Sequence, residues 1–159
     1  MSSKFIGDLA SQRRILLDQP ITSKKKTLDR LAEILHHDLW GADEDFSHSK
    51  LQDAFIAREK LGSTALEHGV AIPHCRVKAC DRPMIALITL QKPIPFEASN
   101  GMEVNLVCGL VVPEEANQEH LDILASLVQL LGVNESRDAI RNAKSPSEVH
   151  ALLKTAPLK

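Results

Sequence analysis

The chain predicts an α+β domain in which helices are layered on a mixed β-sheet. Three observations carry that expectation. Met84–Leu90 and Val104–Val112 are continuous apolar runs, the pattern of strands covered on both faces. Helical periodicity precedes them at Leu28, Leu31, Ala32 and Leu35, and follows them at Leu121, Leu124, Leu127, Val128 and Leu131. Helices on either side of a strand cluster suit a layered architecture. The 159 residues, 43% hydrophobic and 25% charged, are enough for one domain with a true core, and residues 1–159 are read as one.

The elements follow in order. Arg13-Arg14-Ile15 leads into a short first strand with Leu16 and Leu17, which Pro20 stops. Thr22 or Ser23 caps the first helix. Lys24, Lys25 and Lys26 crowd its first turn, where the dipole disfavours cations; they read as a solvated basic patch, with docking of an acidic partner the sharper alternative. Gly41–Ser49 is a polar connector. A second helix is expected over about Lys50–Arg58, with Leu51, Ala54 and Phe55 on one face, and Leu61–Gly69 reads as a loop.

Val70–Ile72 is a short strand candidate that Pro73 must end or place at an edge, because proline cannot donate to a ladder. Pro93-Ile94-Pro95 reads as a turn between the two long strands, and Pro113 closes the second. Asn117 is a plausible cap for the amphipathic helix that follows. Two more helices are expected, near Glu135–Ala143 and from Pro146, capped by Ser145, to about Leu153.

Composition excludes several functions. Aromatic residues are 3% with no Tyr, which leaves few platforms for stacking bases, and a net charge of −2 exerts no overall pull on nucleic acid or anionic membrane. The longest apolar run, Leu106–Val112, is far too short to cross a bilayer, so no membrane insertion is expected. Cys75, Cys80 and Cys108 are odd in number and form no CxxC pair, which suits a reducing cytoplasm. No GxxxxGK[ST], GxGxxG or GxSxG motif is present.

Three residues could carry chemistry. Arg58 continues the stripe of Leu51, Ala54 and Phe55; taken alone it reads as a structural ion pair or a side chain escaping to solvent. His120 shares the face of Leu124 and Leu127 in the first helical turn, where the dipole favours neutral imidazole; alone it reads as a satisfied core histidine. His74 is presented by the stiff Pro73, and alone reads as a loop side chain. His68, His74, Cys75 and Cys80 are zinc-type ligands, but their spacing matches no closed structural site.

Arg58-Glu59, Gly62-Ser63-Thr64 and Gly69-Val70-Ala71-Ile72-Pro73-His74 together resemble the RExxGST and GxAIPH signatures of a known family. These are the type-2 enzyme IIA domains of the bacterial phosphoenolpyruvate-dependent phosphotransferase system, and the nitrogen-regulatory, stand-alone branch is the most similar. Pro93–Pro113 resembles the family's strand pair, and the helix from His120 resembles the one that brings a second histidine to the site. Cys75 stands where the family usually has Gly, and Ala65–Gly69 departs from its GIGNG loop.

The resemblance implies a three-layer α/β/α sandwich around a mixed sheet, the mannitol-type enzyme IIA fold. It implies that His74 accepts a phosphoryl group from a small phosphohistidine carrier resembling HPr or its nitrogen-branch relative. Arg58 would then clamp phosphoryl oxygens, His120 would donate to them, and Ser63 and Thr64 would support the pocket with hydroxyl or backbone donors. No cofactor or metal is implied. Regulatory targets such as potassium transporters or sensor kinases are the implied partners. A fructose- or mannitol-type enzyme IIA serving a IIB domain, and a binding module without phosphotransfer, are the alternatives.

Overall fold

A computed structural model describes residues 3–39, 46–78 and 80–159. Five strands form one mixed sheet: β1 (Ile15–Gln19), β2 (Val70–Ala71), β3 (His74–Val77), β4 (Met84–Ile94) and β5 (Val104–Pro113). β4 and β5 pair antiparallel at the centre, β1 runs parallel to β4, and β2 and β3 both run parallel to β5. β2 and β3 are therefore one sheet edge interrupted at Ile72-Pro73. The ladder continues across the break through the carbonyl of Pro73, which accepts from Leu110 N at 2.9 Å. The edge placement is what a residue without an N–H requires.

β4 alternates between the two faces of the sheet. Met84, Ala86, Ile88 and Leu90 pack with α1 (Lys24–Leu39) and α2 (His48–Lys60), against Leu28, Leu31, Leu35, Leu51 and Phe55. Ile85 and Leu87 pack on the other face with α3 (Gln118–Leu131), α4 (Asn134–Arg141) and α5 (Pro146–Leu153), through Ile123, Leu127, Ile140 and Val149. The three layers are those the family resemblance implies. Gly109 lets α1 lie close to the sheet: a Cβ there would come within 2.9 Å of the fully buried Leu31 side chain.

Several expectations need correction. β4 runs on through Pro93 and Ile94, where a turn was expected. Its pairing with β1 ends at Leu90, so Pro93 lies beyond that ladder, and an irregularity in the β4–β5 register separates Thr89 from Ile94. β3 starts at His74, in a stretch read as loop. The second helix begins at His48, capped by Ser47 Oγ accepting from Lys50 N at 3.2 Å, so Ser47–Ser49 are not connector. Residues 40–45 of that connector lie outside the described residues. The caps at Ser23 and Ser145 are present, each hydroxyl accepting from a first-turn amide.

The stripe of α3 is also shifted. Ile123, Ser126, Leu127 and Leu131 are buried, whereas Leu121 and Val128 are 60% and 47% exposed. Asn117 makes no capping bond, and its Oδ1 accepts from Arg76 instead. Lys24 is not part of a solvated patch. Its ammonium lies 3.0 Å from the buried carboxylate of Glu59 and 4.9 Å from the centre of the Phe96 ring, while Lys25 and Lys26 are exposed.

Candidate functional site

The site lies at the β3 edge of the sheet, where the two helical layers part. His74 and Arg76 alternate with the buried Cys75 and Val77, and so share one face of β3. Arg58 comes from the last turn of α2 and His120 from the first turn of α3. A cleft of about 670 Å³ brings together Arg58, His74, Arg76, Asn117 and His120. Its walls are apolar: Ala54, Ala57 and Leu61 on one side, Leu121 and Leu124 on the other. Three residues each explicable alone are thus neighbours in space. Ser63 and Thr64 are not part of that lining.

The orientation of His74 is set by its own backbone. Nδ1 lies 2.8 Å from the carbonyl oxygen of Ile72. A carbonyl only accepts, so Nδ1 carries the proton and Nε2 keeps its lone pair in the neutral ring. Burial foremost, with the positive charge of Arg58, lowers the pKa of His74 below that of ordinary imidazole. His120 stands edge-on to His74, with ring centres 5.3 Å apart and planes at 82°. Burial, helped by His74, Arg76 and Arg58, pulls His120 down to about 4. Both rings are neutral near pH 7.

Neither arginine is neutralised. Arg58 Nη1 donates to the carbonyl of Gly62 at 2.9 Å, and Arg76 Nη1 donates to Asn117 Oδ1 at 2.7 Å. Among the described residues, neither guanidinium is within ion-pair distance of a carboxylate. The charged side chains that line the cleft are therefore both positive.

The neighbouring loop is held by a buried network. Glu59 Oε1 accepts from Thr64 N at 3.2 Å and from Lys24. Ser63 Oγ donates to Phe96 O at 2.7 Å and accepts from Ala65 N, so its hydroxyl is occupied in fastening the loop. Thr64 Oγ1 has no partner. Among the described residues, the buried side-chain polar atoms without a hydrogen bond are Thr64 Oγ1, Glu59 Oε2 and His120 Nε2. Orphaned buried polar atoms are uncommon; here one belongs to the cleft, at His120, and two to the supporting network, at Glu59 and Thr64.

Cys75 packs in the α1/α2 core, where burial pushes its thiol well above the ordinary range; it is poorly suited to be a nucleophile. His68, His74, Cys75 and Cys80 do not converge: among the described residues, no group of three or more His, Cys, Asp or Glu is placed to hold a metal ion. No helix of the described residues is long and apolar enough to cross a membrane.

Sequence reasoning missed Arg76 and the roles of Asn117, Lys24 and Glu59. Glu59 stood in the signature beside Arg58, and Arg76 left a signal of its own: it lies two residues from His74, on the same face if the chain there is extended.

Comparison with known proteins places this site in context. A nitrogen regulatory protein of Pseudomonas aeruginosa is 35% identical over 140 residues, covering 88% of each chain. The crystal structure of the nitrogen regulatory protein IIA-Ntr of Neisseria meningitidis superposes with a TM-score of 0.85 at 34% identity, covering 93% of this chain and 98% of that one. The mannitol IIA of Escherichia coli superposes at 0.72 with 22% identity over 90% and 97%, a likeness of fold. The family model described as phosphoenolpyruvate-dependent sugar phosphotransferase system, EIIA 2, matches residues 8–156, and the chain belongs to that family.

Proposed function

We propose that this protein is a phosphoryl carrier and regulator of a nitrogen-related phosphotransferase system, and that it accepts its phosphoryl group on Nε2 of His74. The observation that carries the reading is the bond from His74 Nδ1 to Ile72 O. It leaves Nε2 as the one ring nitrogen with a free lone pair, in a cleft whose charged lining is positive.

Transfer then balances without a proton relay. The Nε2 lone pair forms the new N–P bond, and the old P–N bond breaks with its electron pair returning to the donor imidazole. The product ring carries hydrogen on Nδ1 and is positive; the Ile72 carbonyl already faces that hydrogen. Little covalent help is needed, because phosphoryl transfer depends on positioning and on stabilising charge at the equatorial oxygens. Arg58 offers a guanidinium fork to those oxygens. The unpartnered His120 Nε2 supplies a donor when it bears the proton, and Ser63 and Thr64 support the pocket through the loop that they fasten.

The donor is a protein resembling HPr or its nitrogen-branch relative. Leu61 is 85% and Leu121 60% exposed, so the cleft is framed by apolar side chains open to solvent. A rim of that kind suits a protein surface better than a small phosphate ester. Roughly two added negative charges at this rim alter which regulatory targets dock, potassium transporters and sensor kinases among them.

The test is intact-protein mass spectrometry after incubation with phosphoenolpyruvate, enzyme I and the carrier. Wild type gains one acid-labile phosphate and His74→Ala gains none. Labelling of His74→Ala refutes the assignment. An unlabelled wild type, beside a carrier shown to be active, means that the fold serves binding alone.

A further inference from the structure

Arg76 is the one charged group of the cleft with no part in the account so far. It shares the exposed face of β3 with His74, one residue pair along the strand. Its charge acts on His120, which faces His74 from α3. Among the described residues its side chain bonds Asn117 Oδ1 alone, at 2.7 Å, a neutral acceptor just before the first turn of α3. That bond uses one of the five N–H groups of a guanidinium and none of its charge. A cation whose only task was to tie β3 to α3 would be better served by a carboxylate partner. A neutral tether, by contrast, holds the side chain in place and leaves its charge available to an anion.

Resting on the reading of His74 as the phosphoryl acceptor, we infer that Arg76 is a second phosphoryl-binding residue, held beside the cleft by Asn117 and drawn onto the phosphoryl oxygens when they arrive. Arg58 approaches from α2 and Arg76 from β3, so the two guanidiniums meet the group from different elements. The exchange has a second consequence. When Arg76 turns to the phosphoryl group it releases Asn117, and Leu121 and Leu124 on the next turn belong to the same apolar wall. The phosphorylated and bare forms thus differ in how the start of α3 is tied down, as well as in charge.

The experiment measures single-turnover phosphate uptake from the phosphorylated carrier by wild type, Arg76→Ala, Arg76→Lys, Asn117→Ala and Asn117→Asp, with thermal unfolding of each as a folding control. Loss of a charge-assisted bond to the transferred group slows Arg76→Ala by roughly tenfold to a hundredfold. Arg76→Lys recovers part of the rate, since it restores charge without the fork. Asn117→Ala loses the tether but leaves Arg76 its charge and is slowed less than Arg76→Ala, whereas Asn117→Asp locks it in an ion pair and is slowed as much. If Arg76 were only a strut, the order would reverse: Asn117→Ala would be the damaged variant and Asn117→Asp the sound one. An Arg76→Ala protein that matches wild type also overturns the inference. Should Arg76→Ala fail to fold, the order of the two Asn117 variants still decides the matter. A wild type that takes up no phosphate refutes the carrier reading itself, which is a separate outcome.

Discussion

Replacing Lys24 by methionine isolates the buried pair that supports the loop beside the site. Lys24 Nζ and Glu59 Oε1 are 3.0 Å apart, with side chains 15% and 4% exposed. At an effective dielectric of about 20 the attraction over that distance is about 5–6 kcal/mol before desolvation is counted. Methionine keeps the packing of the stem but leaves a buried carboxylate without its cation. Breaking such a pair from one side costs about 3–5 kcal/mol. The lower end applies here, about 3 kcal/mol, because the residual opening at Lys24 admits water to the stranded charge.

The opposite change is milder. Glu59→Gln strands an ammonium on a flexible stem that can swing outward, and keeps an acceptor for Thr64 N, so the cost is about 1 kcal/mol. The double variant costs about 2 kcal/mol, half the sum of the single changes, a coupling of about 2 kcal/mol. Urea unfolding of the four proteins reads these values directly, and the thermal midpoint of Lys24→Met falls by about 6–12 °C. A cost below about 1 kcal/mol for Lys24→Met, with no coupling, would show that solvent screens the pair and that the network does not secure the loop.

Three further expectations concern titration and access. His120 should stay neutral until the pH falls to about 4, read by the shift of its ring protons in NMR, and a midpoint near the ordinary 6.5 refutes the burial argument. Its folded value is depressed, so the stability it contributes is present above the unfolded value and is lost as the pH falls through about 4. For the same reason, the rate at which His74 accepts phosphate should hold as the pH drops through 6.5 and decline only below it. The thiols should resist alkylation until the protein unfolds, because burial pushes Cys80 up to about 11, Cys108 to about 12 and Cys75 higher still. Modification of Cys75 in the folded protein at the rate of a free thiol contradicts its placement in the core.

Much of the fold was legible because the signals were long. Met84–Leu90 and Val104–Val112 are too evenly apolar to face water on either side, and both proved to be central strands. Ser145-Pro146 announced a helix start by local chemistry, and the Ser145 hydroxyl accepts from Glu148 N as expected. The Ile72-Pro73-His74 sequence announced a strand edge, again because one residue lacks a donor.

α3 was less legible for a definite reason. Leu121, Leu124, Leu127, Val128 and Leu131 cover more of the helix than one packing face, and periodicity alone cannot say which part meets the sheet. The fold buried the side marked by Ile123, Leu127 and Leu131, and left Leu121 and Leu124 to wall the cleft. Lys24 misled in the same way. A cation in a first helical turn reads as surface until a carboxylate distant in sequence is brought 3.0 Å from it.

By itself, then, the sequence determined most of the elements, their layering and the identity of three candidate groups, Arg58, His74 and His120, since these depend on local conformation, solvent transfer and residue chemistry. Only the tertiary structure decided which nitrogen of His74 is free, that both arginines keep their charge, and that Glu59 and Lys24 meet beneath the loop. The Lys24–Glu59 pair and the Arg76–Asn117 bond join segments far apart along the chain, and even the local contacts of His74 with Ile72 and of Arg58 with Gly62 are matters of side-chain geometry that residue identity alone does not encode.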